Sequence, residues 1–149
     1  MREILFKAKR IDNGEWVEGN LVFLFQTKAH EAFIIPIKFG NAFMQLREGD
    51  LGFRYWYKVD PETLCQFTGL CDKNGNKIWE NDIVTCQTKY GGDIGKVVFH
   101  NGKFCVLWNS TYHYPRNGKC ENYYDINTKN LVKGSVFDNP ELLQEESDE

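Results

Sequence analysis

Gly95-Lys96-Val97-Val98-Phe99-His100-Asn101-Gly102-Lys103-Phe104-Cys105-Val106-Leu107-Trp108 is the stretch that decides the fold. Asn-Gly between extended apolar runs is the strongest short-range hairpin signal, because both residues tolerate the positive φ of a type I′ turn. A turn at Asn101-Gly102 pairs His100 with Lys103, Phe99 with Phe104, Val98 with Cys105 and Val97 with Val106. The pleat then sends Val97, Phe99, Phe104, Val106 and Trp108 to one face, wholly apolar and expected to be core. Lys96, Val98, His100, Lys103, Cys105 and Leu107 take the other face, which is mixed and expected to be half covered.

Outward from this hairpin, turn chemistry dominates. Asn-Gly recurs at Asn13-Gly14, Asn74-Gly75 and Asn117-Gly118. The first joins strands expected over 4–11 and 15–25, with Trp16 opening the return. Residues 32–39 are β-branched and aromatic, with Pro36 demoting them toward an edge or a bulge. Residues 40–52 read as a loop holding one short strand, and 53–59 as a further strand. Asp60-Pro61-Glu62 is a helix start, with Asp at the N-cap and Pro at the first helical position. Only about one turn fits before Gly69, which makes 60–68 the best boundary. Beyond it come strands over 83–88, the hairpin itself, 123–127 and 131–137, then a second short helix at Asn139-Pro140-Glu141. The expected fold is mainly β: an N-terminal β subdomain over 1–64, a C-terminal one over 65–143, one or two helical turns, and an acidic tail over 144–149.

Composition narrows the function classes. A chain of 149 residues with 42% hydrophobic and 26% charged residues is globular, not disordered or coiled coil. The net charge of −3 is a property of the last nine residues, which hold five acids and no base. The remainder carries 18 bases against 16 acids, too near neutral for a strong nucleic-acid or membrane footprint. The longest apolar run, Leu21-Val22-Phe23-Leu24-Phe25, has strand length. The amino terminus lacks the apolar core of a signal peptide, and five cysteines, an odd number, suit reduced thiols. A cytoplasmic location is expected.

Residues 66–84 read Gln66-Phe67-Thr68-Gly69-Leu70-Cys71-Asp72-Lys73-Asn74-Gly75-Asn76-Lys77-Ile78-Trp79-Glu80-Asn81-Asp82-Ile83-Val84. This motif resembles the signature of the YopX family, small proteins encoded by phages and prophages, mainly of Gram-positive bacteria. The opening Phe6-Lys7-Ala8-Lys9-Arg10, the Asn13-Gly14-Glu15-Trp16 turn and the closing segment Asn139-Pro140-Glu141-Leu142-Leu143 extend the resemblance over nearly the whole chain. Trp79 and Asn81 depart from it, standing where the family usually has a smaller aromatic and a glycine, and Cys65 and Cys71 lie outside its pattern. The resemblance implies a β-rich fold in two parts, the second similar to an SH3-type barrel, and no particular activity. Gln66, Thr68, Gly69, Asp72, Asn74, Gly75 and Asp82 sit where sharp turns are needed and are read as structural.

Candidate chemistry is sparse. Asp72, Asn74 and Asn76 imitate the first ligands of a calcium loop, but Gly75 stands fourth rather than sixth and Ile83 replaces the closing Glu, so a hairpin turn is preferred. The six-residue separation of Cys65 and Cys71 does not fit a zinc knuckle. Gly91-Gly92-Asp93 lacks the Lys-Ser/Thr of a phosphate loop. Three serines and three histidines offer no recognisable nucleophile and base. No catalytic residue, metal or cofactor is expected; an enzyme would need a Cys–His or carboxylate site assembled by the fold.

Two segments could bind a macromolecule. As a strand, Arg54-Tyr55-Trp56-Tyr57-Lys58 would put Tyr55 and Tyr57 on one face, and Tyr112-His113-Tyr114-Pro115-Arg116 offers a loop rich in rings. Aromatic side chains with cationic neighbours serve as protein hot spots or stack single-stranded bases. The expectation is a non-catalytic accessory module that binds a host or phage macromolecule through Arg54, Tyr55, Tyr57, Tyr112, His113, Tyr114 and Arg116. Single-stranded nucleic-acid binding is the alternative, and self-association through sheet edges is a further expectation.

Overall fold

The structure is a computed structural model and describes residues 1–24, 30–37, 43–88, 91–108, 122–127 and 129–143. The strands are β1 (Phe6–Lys9), β2 (Trp16–Leu24), β3 (Glu31–Pro36), β4 (Phe43–Arg47), β5 (Asp50–Phe53), β6 (Tyr57–Val59), β7 (Cys65–Cys71), β8 (Lys77–Trp79), β9 (Asp82–Thr88), β10 (Gly91–His100), β11 (Lys103–Trp108), β12 (Asn122–Asp125) and β13 (Val132–Ser135). Short 3-10 turns occupy Pro61–Thr63 and Pro140–Leu143. The fold is mainly β with antiparallel pairing throughout, and the chain divides into two compact units at Phe67/Thr68.

In unit 1, β1, β2, β3 and β6 pair in that order. The free edge of β6 then meets the end of β1: Arg10 bridges Val59, Ile11 N donates to Lys58 O, and Asp60 N donates to Lys9 O. These bonds close a ring of strands around Ala8, Val17, Ala32, Ile34 and Val59, with Phe6, Leu21, Phe23, Tyr57 and Leu64 packed against them. The Pro61–Thr63 turn seals the corner as its sequence demands. Asp60 Oδ1 accepts from Glu62 N at 3.0 Å, and Thr63 Oγ1 accepts from Lys9 N at 2.8 Å while donating to Asp60 O. Pro36, expected to mark an edge, instead ends a central strand, buried opposite Gly19. A Cβ at Gly19 would lie 1.8 Å from Ile35 O, so only glycine lets the two backbones approach there. Residues 40–52 hold two paired strands, β4 and β5, rather than one.

In unit 2, the sheet order is β12-β11-β10-β9-β13, with a bulge in β13 between Val132 and Gly134. The Asn101-Gly102 hairpin has the expected register from Val97↔Val106 to His100↔Lys103, and both turn residues have positive φ, 49° and 78°. Ile78, Val84, Val97 and Val106 form the core, joined by Ile126 and Val132. One expectation fails. Phe99 is 56% exposed, because the β10–β11 hairpin outruns its neighbours: β9 reaches only Lys96, and β12 reaches only Cys105. Phe99 and Phe104 pack edge-to-face on each other, 5.0 Å apart, at the protruding tip. Cys105, placed by sequence on a half-covered face, is buried. The Trp108 side chain lies outside what is described. Gly91-Gly92-Asp93 opens β10.

Candidate functional site

Sequence alternation sets Arg54–Lys58 as one strand. The chain instead bends between β5 and β6, and this break redistributes the side chains. Tyr57 faces inward, half-buried in the core of unit 1, with the Arg10 guanidinium 4.0 Å from its ring centroid. Tyr55 lies before β6 and is exposed, so the two tyrosines do not share a strand face. Arg54 is exposed. Tyr112, His113, Tyr114 and Arg116 lie outside the described residues.

The bend also places a residue that alternation did not single out. Trp56, 58% exposed, and Phe53 stand over the outer face of the β2–β3 ladder, where Val22 pairs with Phe33 and Asn20 with Ile35. Val22, Phe33, Ile35, Phe53 and Trp56 line a groove of about 300 Å³. The residues that line it are all of apolar type. Strand parity explains the floor, since residues opposite in phase to Ala32, Ile34 and Leu21 point away from the ring's core. An exposed tryptophan beside an apolar cleft is unusual among surface residues and marks binding surfaces. The signal available in the sequence was the weak polarity of the outward positions Val22, Phe33 and Ile35, which a solvated strand face would not show.

Elsewhere on the same outer face, Trp16 is flanked by two cations, with Lys7 Nζ 4.6 Å and Lys9 Nζ 5.4 Å from its ring centroid. These contacts cover the indole with charge and separate it in character from the bare groove.

The central motif over residues 66–84 builds turns. Gln66 pairs with Phe6 across β1 and β7. Thr68 Oγ1 donates to Ile78 O at 2.7 Å and accepts from Leu70 N, while Gly69 takes φ of 88°. Asp72, 5% exposed, ties the β7–β8 turn: Oδ1 accepts from Asn74 N and Asn76 N, both at 2.9 Å, and Oδ2 accepts from Asn76 Nδ2 and from Val132 N at 3.1 Å. Burial alone would raise this carboxyl's pKa; the hydrogen bonds from Val132, Asn76 and Asn74 outweigh it and hold the carboxyl below its usual range. Gly75, with φ of 82°, donates to Asp72 O. Asp82 Oδ2 accepts from Trp79 N at 2.8 Å and closes the next turn. Every Asp72 oxygen is thus spent on N–H donors, an arrangement that serves a turn and not a cation.

Among the described residues no group of three or more His, Cys, Asp or Glu side chains converges to hold a metal ion. Cys65 and Cys105 are buried and Cys71 is exposed. Burial pushes the Cys105 thiol up, away from the thiolate that nucleophilic chemistry requires. His100 lies flat on Tyr123, ring centroids 3.8 Å apart, and His30 stacks on Phe23. No helix among the described residues is long and apolar enough to cross a membrane.

Comparisons with known proteins agree with the architecture. The structure resembles the crystal structure of protein EF1440 from Enterococcus faecalis with a TM-score of 0.59 and 23% identity, covering 97% of this chain and 100% of that one. At that identity the likeness concerns the fold. No curated protein matches the sequence. The family model for the YopX protein matches residues 6–144, nearly the full length, and the chain belongs to the YopX family.

Proposed function

We propose that the protein is a non-catalytic module of a phage or prophage that acts in the host cytoplasm and binds a protein partner through the outer face of unit 1. The observation that carries this reading is the apolar groove under Trp56. A tryptophan left more than half exposed beside Val22, Phe33, Ile35 and Phe53 has the composition of an interface hot spot, with Tyr55 and Arg54 next to it in the chain as amphipathic rim. The occupant this chemistry favours is an extended or helical segment that inserts one or two apolar side chains. Reduced thiols at Cys65, Cys71 and Cys105 support the cytoplasmic setting. Unit 2, an antiparallel sheet with a bulged edge strand, supports the comparison with an SH3-type barrel.

Selection of displayed peptides on the intact protein tests this. Selected peptides carry apolar anchors, and Trp56→Ala weakens them by about tenfold or more, the scale of a hot-spot truncation. Peptides that bind equally well to the variant exclude the groove. Single-stranded nucleic acid remains the second reading, resting on Tyr55 with Arg54 beside it. Fluorescence anisotropy with labelled single-stranded DNA at two salt concentrations separates the two, since phosphate contacts weaken steeply with salt and apolar ones do not.

A further inference from the structure

Three Asn-Gly pairs fall among the described residues, and the structure treats them differently. Their glycines share a left-handed backbone, with φ of 72° at Gly14, 82° at Gly75 and 78° at Gly102. The glycine conformation therefore does not distinguish them, although of the three asparagines Asn101 alone has a positive φ, 49°. Hydrogen bonding separates them further. Gly14 N donates to Arg10 O at 2.9 Å and Gly75 N donates to Asp72 O at 3.0 Å. The Asn13 carboxamide is engaged as well, accepting from Glu15 N at 2.9 Å and donating to Glu15 Oε2. At the third pair the turn is the two-residue link between His100 and Lys103, whose ladder bonds belong to those flanking residues. Neither Gly102 N nor the Asn101 carboxamide has a hydrogen-bond partner among the described residues, and both residues are exposed.

We propose that Asn101 is a modification site, the preferred position among these three for spontaneous deamidation. The Gly102 amide nitrogen, losing its proton to hydroxide, attacks Asn101 Cγ. The N–Cγ bond forms, the Cγ–Nδ2 bond breaks, and the side-chain nitrogen leaves as ammonia after taking a proton from water. Water then adds to one carbonyl of the resulting succinimide and opens it to aspartate or isoaspartate. No oxidation state changes, and solvent is the co-reactant. At Gly14 and Gly75 the attacking N–H must first give up a backbone hydrogen bond, which opposes reaction by roughly 2- to 10-fold, the equilibrium cost of breaking one intramolecular bond.

The site has consequences for the fold. Isoaspartate lengthens the backbone of a turn that admits only two residues, in a hairpin whose register places Phe99 against Phe104 and Val97 against Val106. Either product also adds a carboxylate next to the exposed aromatic tip.

The test is incubation of the folded full chain in mildly alkaline buffer, with proteolysis and mass spectrometry reporting carboxamide-to-carboxyl conversion at each asparagine. Conversion at Asn101 should run several-fold ahead of Asn13 and Asn74. The same incubation in concentrated urea should bring the three rates together, because all three share the Asn-Gly sequence. Asn13 or Asn74 keeping pace with Asn101 in the folded protein would overturn the proposal. So would a ranking that persists unchanged in urea, since it would then come from local sequence and not from hydrogen bonding.

Discussion

Unit 1 and unit 2 solve the same problem, a small β-fold with little core, by different means. Unit 1 joins its strands into a ring, and the polar group it buries among the described residues is Thr63, at the corner where the ring closes. Unit 2 buries Asp72, Asp82, Asn130 and Ser135, and each has turns or strand ends to hold. Asp72 binds Val132 N across sixty residues of sequence, and Asn130 joins Thr85 O to the Asn127 amide. Ring closure rests on backbone pairing, with the Thr63 and Asp60 side chains at one corner, and leaves the outer face of the sheet free to be apolar. Pinning by side chains instead commits the sequence to particular polar residues, as at Asp72 and Asp82 in the turns between β7 and β9.

Core truncations give the largest effects and test whether the units stand on separate cores. Ile34→Ala in unit 1 and Ile78→Ala in unit 2 remove fully buried side chains, and each should cost about 2–5 kcal/mol in urea denaturation. If the cores are distinct, the two losses add in the double variant. A smaller loss tests the pins. Asn130→Ala leaves Thr85 O and the Asn127 amide without their partner and should cost about 1–3 kcal/mol.

Acid sharpens the contrast. The Asp72 carboxyl is held below its ordinary value of 3.8 in the folded protein. Its contribution is therefore fully present above the unfolded-state pKa and is lost as the pH falls through the lower folded-state one. Stability measured from neutral pH down past that window should fall in the wild type and fall less in Asp72→Asn, which starts weaker. Asp12 in unit 1 is also lowered, chiefly by its hydrogen bond from Arg10, but that pair is exposed and Asp12→Asn should alter the acid profile less. The smallest effect on stability belongs to Trp56→Ala, expected within about 0.5 kcal/mol of wild type because the side chain is mostly exposed.

Much of this architecture is legible from local chemistry. Asn101-Gly102 set a register that the structure reproduces pair by pair, and Asp60-Pro61 announced its helical turn, because both signals act through the backbone of adjacent residues. Asn81 is instructive in the same way. The resemblance leads one to expect glycine there, and the φ of 67° at Asn81 places it in the left-handed region, which asparagine tolerates. Signals that depend on distant partners were less readable. Phe99 carries the pattern of a core residue, yet its exposure is decided by where β9 and β12 stop. Pro36 has the signature of an edge, yet it is satisfied at the end of a central strand. The groove was hidden for the same reason: Trp56 matters because a bend at 54–56 interrupts an otherwise regular alternation, and its neighbours Val22 and Phe33 arrive from other strands. The rings of 112–116 lie outside the described residues.

The most direct test of the binding face compares matched truncations on the two units. Affinities of selected peptides should be measured for wild type, Trp56→Ala in unit 1 and Phe99→Ala in unit 2, all three confirmed folded by their urea transitions. A loss of about tenfold or more confined to Trp56→Ala is the predicted result. Full affinity in Trp56→Ala together with loss in Phe99→Ala would move the binding face to the aromatic tip of unit 2 and contradict the account.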